Sequence, residues 1–96
     1  MKLSDYVIHF FAENNIGHAF VISGGAVIHL ADSAFRSEKM EIIGTQHEQA
    51  AGAAADMYSR ITGNIGLCMT TSGPGATNLV TSVCNAFFDS IPMICI

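Results

Sequence analysis

Apolar positions along the chain alternate between two spacings, one suited to helices and one to short buried strands. After Ser4, which is placed to cap a helix, Val7, Phe10 and Phe11 share one side of a helical segment. Asn14-Asn15-Ile16-Gly17 ends it, with Gly17 predicted to take the left-handed backbone of a helix stop. His18 to Ile22 reads as a strand and Ser23-Gly24-Gly25 as a turn. Ala26 to Arg36 is predicted helical, with Val27, Leu30, Ala31 and Ala34 on one face. Glu41 to Gly44 is a second strand, and a helix follows from about Glu48 to Thr62, closed by Gly63. Ile65 to Thr70 is a third strand, Ala76 to about Phe88 a fourth helix, and Pro92 to Ile96 a fourth strand. Met69, Phe87, Phe88 and Met93 are predicted core.

Strand and helix alternate with long crossovers, which predicts the α/β class: an open parallel sheet with helices on both faces. Ile91 to Ile96 is an apolar strand with no covering helix after it, so the sheet is expected to be incomplete and the chain to be part of a longer polypeptide.

Composition sharpens this picture. Half of the 96 residues are hydrophobic and only 12% are charged, against about 25% for an ordinary soluble domain. A small domain with so little charge is expected to be covered by more of its own chain or by a partner. Net charge is −4, and the four basic residues, Lys2, Arg36, Lys39 and Arg60, are scattered. No basic stripe exists for nucleic acid or for a membrane surface. No apolar run reaches the roughly 18 residues of a spanning helix, and Asp5 and Glu13 interrupt any secretion signal. Cys68, Cys84 and Cys95 read as small buried hydrophobes of a reducing cytoplasm. The four histidines make no metal-ligand spacing, and no metal site is predicted.

In open parallel sheets, ligands collect at the carboxyl ends of the strands. Three loops occupy that position: Ser23-Gly24-Gly25, Thr45-Gln46-His47-Glu48 and Thr71 to Asn78. In the third, Gly73-Pro74-Gly75 makes a stiff turn that lets backbone approach a ligand; it reads equally as a tight strand-to-helix turn. It lacks the lysine of a P-loop, and Asn78 stands where a dinucleotide fingerprint needs its third glycine. Glu48 is the only acid between Glu41 and Asp56, and Ala50 to Ala55 behind it carry almost no side-chain bulk. A carboxylate there is either a complement to the helix dipole or, once desolvated, an acid of raised pKa suited to sharing a proton. His47 reads as a capping histidine, and His29 as a partly buried one near the same cleft.

Thr45 to Gly63 resembles the helix that carries the catalytic glutamate in thiamine-diphosphate-dependent enzymes. Thr70 to Asn78 is similar to that family's pyrimidine-side loop, Asp89 to Met93 to the segment that follows, and Phe20 to Ala26 to its first glycine loop. These segments follow the family's order, the resemblance covers nearly the whole chain, and the subgroup they resemble is the acetolactate synthase type. Ser23 and Met57 depart from it, standing where a proline and a glycine are common.

The resemblance implies that residues 1–96 form the N-terminal part of a pyrimidine-binding domain, with later domains outside this chain. It implies that Glu48 hydrogen-bonds and shares a proton with N1′ of the aminopyrimidine, activating the cofactor toward a 2-keto acid such as pyruvate. It places Thr71, Pro74 and Asn78 against the pyrimidine, with Ile22, Gly24 and Gly25 near it. It also implies thiamine diphosphate and Mg²⁺, the latter held by a domain absent here, so these residues alone are expected not to turn over. FAD is a further group bound by many members, and the assembly implied is a homodimer or homotetramer with the site between subunits. The alternative is a non-catalytic nucleotide-binding α/β module using the Gly-Pro-Gly loop.

Overall fold

One helix whose first half is almost free of side-chain bulk lies against a short-stranded sheet, and its closeness to that sheet sets much of the arrangement. The computed structural model describes residues 1–96. In chain order the elements are α1 (Leu3–Glu13), β1 (His18–Val21), α2 (Ile28–Arg36), β2 (Glu41–Gly44), α3 (Glu48–Thr62), β3 (Gly66–Met69), α4 (Pro74–Thr77), α5 (Val80–Phe88) and β4 (Met93–Cys95). The strands form one sheet in the order β2-β1-β3-β4. Every pairing is parallel, with His18 opposite Glu41, Ala19 opposite Leu67 and Cys68 opposite Cys95.

Alternation along the strands divides the core in two. Ala19, Val21, Leu67 and Met69 face α1 and α2, where Ile8, Phe11, Val27 and Ala34 are buried with them. Cys68 faces the other way, with Ala51 and Ala55 of α3, Leu79, and the flanking Phe20 and Met93. Helices therefore cover both faces, as the α/β reading requires. On the second face the approach is close because side chains are missing. A Cβ on Gly66 would run into the Ala55 carbonyl, and one on Gly52 would stand 2.5 Å from Cβ of Ser82. Ser59 Oγ accepts from Gly66 N–H at 2.7 Å and donates to the Pro92 carbonyl at 2.6 Å, tying α3 to β3 and to the approach of β4. Arg60 joins Asp56 at 2.9 Å and Asp89 at 2.7 Å, pinning the end of α5 to α3.

The structure corrects several sequence expectations. The first helix begins at Leu3, so Ser4 lies inside it instead of capping it; its hydroxyl sits 2.8 Å from Ser33 Oγ of α2. The left-handed residue after α1 is Asn15 (φ 64°), not Gly17, since asparagine tolerates that region and its position comes earlier in the turn. The second helix starts two residues later than Ala26, whose N–H is given to Thr71 Oγ1. The expected fourth helix is two helices, because Leu79 N–H bonds back to Ala76 and interrupts the ladder. Phe87 and Phe88 are 78% and 79% exposed: α5 turns Ser82 and Ala86 inward, and both rings point away from that face. Only Cys68 of the three cysteines is buried; Cys84 and Cys95 are exposed.

On the first face, α1 and α2 are held by a charged cluster. Asp5 accepts from Ser33 Oγ and Arg36 Nη2, both at 2.7 Å, and Arg36 Nε reaches Asp32 at 3.0 Å. The Ser33 hydroxyl and then the Arg36 guanidinium hold the Asp5 carboxyl down at about 2, against an ordinary 3.8. A depressed carboxylate stabilises the fold at pH above its ordinary value, and that stabilisation is lost as pH falls through the folded value. Asp5→Asn should therefore lower the melting temperature at neutral pH and flatten its decline between about pH 4 and 2. Thermal melts across that range check it; an acid limb identical to that of the parent chain refutes it.

Candidate cofactor site

The sheet order defines where a ligand belongs. From β1 the chain goes first to β2 on one side and then to β3 on the other, so the topological switch point lies between the carboxyl ends of β1 and β3. The loops that leave those two ends meet there. Thr71 Oγ1 accepts the Ala26 N–H at 3.1 Å. Thr71 also fills the space over Gly24, where a Cβ would come within 2.5 Å of Cβ of Thr71. Gly24 is thus required by a side-chain contact, whereas Gly25 has open space around it. Ile22 is half-buried, and its N–H continues the β1–β3 ladder by bonding to the Met69 carbonyl at 3.3 Å.

Glu48 is the first residue of α3. His47 caps that helix, its Nδ1 accepting from Gln49 N–H at 3.0 Å, as the capping reading of this histidine requires. Asn78 Nδ2 donates to Glu48 Oε2 at 3.2 Å. Oε1 faces the bare α-carbon of Gly75, where a Cβ would stand 3.6 Å away. The loop after β3 therefore brings Thr71 to the first loop and Asn78 and Gly75 to Glu48. Gly73 takes φ 74°, a backbone that favours glycine, and turns the chain into α4, where Pro74 stands exposed at the helix start.

The electrostatics of Glu48 differ from the expectation of a raised pKa. Its carboxyl lies below the ordinary glutamate value, held there by its own backbone N–H, then by the Asn78 amide, with a smaller attraction from His47; the burial it has pushes upward and is outweighed. The reason is that the donors at the start of α3 and Asn78 outweigh the partial burial of the carboxylate, which falls short of the desolvation that the sequence reading assumed.

Of the residues singled out from sequence, the structure brings Glu48 and Asn78 into contact and joins Gly24 to Thr71. Ile22, Gly25 and Pro74 line the neighbouring loops without touching Glu48. His29 is exposed, on a groove with Lys2, Leu3 and Val7 that excludes Glu48, and is not the partly buried residue expected. Sequence reasoning did not foresee that Thr71 would be spent on Ala26, or that Asn78 would orient Glu48. Gly75 carried a signal, being small where the third loop must pass α3. No group of three His, Cys, Asp or Glu side chains is arranged to hold a metal ion.

A family model described as thiamine pyrophosphate enzyme, N-terminal TPP binding domain, matches residues 1–96. The chain belongs to this thiamine pyrophosphate enzyme family.

Among its curated relatives, an acetolactate synthase of Mycobacterium bovis is 48% identical over 90 residues, 94% of this chain and 15% of the relative. An acetolactate synthase large subunit of Corynebacterium glutamicum is 44% identical over 90 residues, 94% of this chain and 14% of the relative. A mitochondrial acetolactate synthase of Schizosaccharomyces pombe is 44% identical over 82 residues, 85% of this chain and 12% of the relative. The chain spans 12–15% of the length of these relatives.

Proposed function

We propose that residues 1–96 supply the aminopyrimidine side of the cofactor site in a thiamine-diphosphate-dependent 2-keto acid decarboxylase and carboligase of acetolactate synthase type. The observation that carries the reading is the Glu48 carboxylate at the mouth of α3, oriented by Asn78 and facing Gly75. When bound, the cofactor supplies the electron sink through which a 2-keto acid loses CO₂ and its carbonyl carbon joins a second carbonyl compound.

The chain's own part is positional and protonic. Glu48 would supply the carboxyl that exchanges a proton with a ring nitrogen of the bound pyrimidine. Asn78 fixes Oε2, which leaves the rotation of the carboxyl set before the ring enters. Thr71 holds the first glycine loop at Ala26, so Gly24 and Gly25 keep backbone, not side chain, toward the cleft. The diphosphate and Mg²⁺ are assigned to residues outside this chain, and a second copy is assigned the role of excluding water from Glu48. That exclusion would raise the carboxyl from its present depressed state toward the range where proton sharing at neutral pH is efficient.

The nucleotide-module alternative is not favoured. Its Gly-Pro-Gly loop opens into α4, a single turn of four residues, and Asn78 beyond it is bound to Glu48. The test is CO₂ release from pyruvate by the polypeptide that carries this chain, with and without thiamine diphosphate and Mg²⁺. Release that depends on thiamine diphosphate supports the proposal; its absence with pyruvate and with larger 2-keto acids overturns it.

A further inference from the structure

Two thiols that the proposed cofactor chemistry does not use lie against each other. Cys68 and Cys95 occupy paired positions on β3 and β4, their side chains share one face of the sheet, and their sulfurs are 3.2 Å apart. Neighbouring strands run roughly 4.7–4.9 Å apart, inside the roughly 4.4–6.8 Å between α-carbons that a disulfide accepts. A bond of about 2.05 Å between these sulfurs therefore needs side-chain rotation more than strand movement. The two thiols differ in access: Cys68 is fully buried beside Ala51, Ala55 and Leu79, while Cys95 is exposed and borders a cavity of about 290 Å³ together with Thr71, Ala76 and Leu79.

We propose that Cys95 and Cys68 are a reversible dithiol–disulfide modification site, with Cys95 as the thiol that meets a peroxide and Cys68 as the thiol that resolves it. The Cys95 sulfur attacks one peroxide oxygen; an S–O bond forms, the O–O bond breaks, and water leaves, giving a sulfenic acid. The Cys68 sulfur then attacks the Cys95 sulfur; the S–S bond forms, the S–O bond breaks, and a second water carries away the Cys68 proton. Two thiols are oxidised by two electrons and one peroxide is reduced to two waters. A small-molecule thiol reverses the bond by exchange. The division of labour agrees with the local electrostatics. The Cys68 S–H donates to the Cys95 sulfur, which favours the Cys95 thiolate and holds its pKa down, and the same bond together with burial pushes the Cys68 thiol up. Cys84, exposed on α5 and without a thiol partner, is the internal control.

The experiment treats the native polypeptide that carries this chain with hydrogen peroxide, blocks remaining thiols, and maps the peptides without reduction. No Lys or Arg lies between Arg60 and Ile96, so trypsin leaves the three cysteines together; chymotrypsin, cutting after Leu79 and after Phe87 or Phe88, separates them. The expected result is a crosslinked Cys68–Cys95 peptide pair lighter than its reduced parts by about two mass units, the two hydrogens lost, with Cys84 still alkylated and the link removed by dithiothreitol. Cys95→Ser should abolish the link. Cys68→Ala, which keeps an apolar side chain in the buried position, should leave Cys95 over-oxidised. Over-oxidation of Cys95 in the parent protein without a link, no oxidation of either residue, or a link to Cys84 instead would each overturn the proposal.

Discussion

Glu48→Gln, made in the polypeptide that carries this chain, is expected to lower the turnover of pyruvate by roughly 10²–10⁴-fold, the span typical of a lost acid–base group. Glutamine keeps the size of the side chain and an oxygen for Asn78 to bond to; it removes the proton-sharing carboxyl and little else. Glu48 takes part in no ion pair of the described fold, so the melting temperature should fall only slightly, by the loss of the charge that its own backbone N–H and Asn78 hold in place at the start of α3. Kinetics and a thermal melt on the same preparation separate the two effects. Asn78→Ala forms the graded companion: the carboxyl remains but loses its orienting amide, so the loss of turnover should be real and smaller. Parental turnover in the Glu48→Gln variant removes Glu48 from the chemistry.

The second large effect lies in the scaffold. Gly66→Ala should be among the most damaging single changes in the chain, because the added methyl overlaps the carbonyl oxygen of Ala55 and meets its carbonyl carbon and α-carbon at 2.6 and 3.0 Å. These are backbone atoms of α3, and no rotamer change relieves the clash; either the helix lifts from the sheet or β3 shifts between β1 and β4. Overpacking of a core commonly costs about 1–3 kcal/mol, and a backbone-on-backbone clash belongs at the upper end or beyond. For a domain of this size about 3 kcal/mol corresponds to a fall of roughly 12 °C or more in Tm. Gly17→Ala is the matched control, since its methyl would stand 3.5 Å from the Lys39 carbonyl in ordinary contact. Equal melting of the two variants would mean that α3 does not lie as close to β3 as described.

The alternation of strands and helices was legible because most strands are short, apolar and followed by a turn residue, and α3 lies where it was expected, from about Glu48 to Thr62 with Gly63 closing it. The break between α4 and α5 was not, because Asn78 and Leu79 keep right-handed backbone and only their hydrogen bonding shifts. Phe87 and Phe88 misled for a different reason. Helical spacing identifies an apolar face but does not tell which of two apolar faces the rest of the chain covers. At the site, Glu48 stood out as a solitary acid before a run of alanines, which is a local signal. Its surroundings were not legible, since the amide that orients it comes from 30 residues further on, and the depressed carboxyl follows from its own backbone N–H at the helix start and from that amide.

The Thr71–Ala26 bond joins two loops 45 positions apart in the chain. The first glycine loop and the loop after β3 are therefore one wall before any ligand arrives, because their relative freedom is given up when the sheet forms. In the proposed site, a cofactor ring entering beside them would meet a surface already ordered, and the entropy of fixing two separate flaps would drop out of its binding free energy. In this domain preorganisation is a product of folding, and it centres on one threonine, whose hydroxyl holds Ala26 and whose β-carbon packs over Gly24.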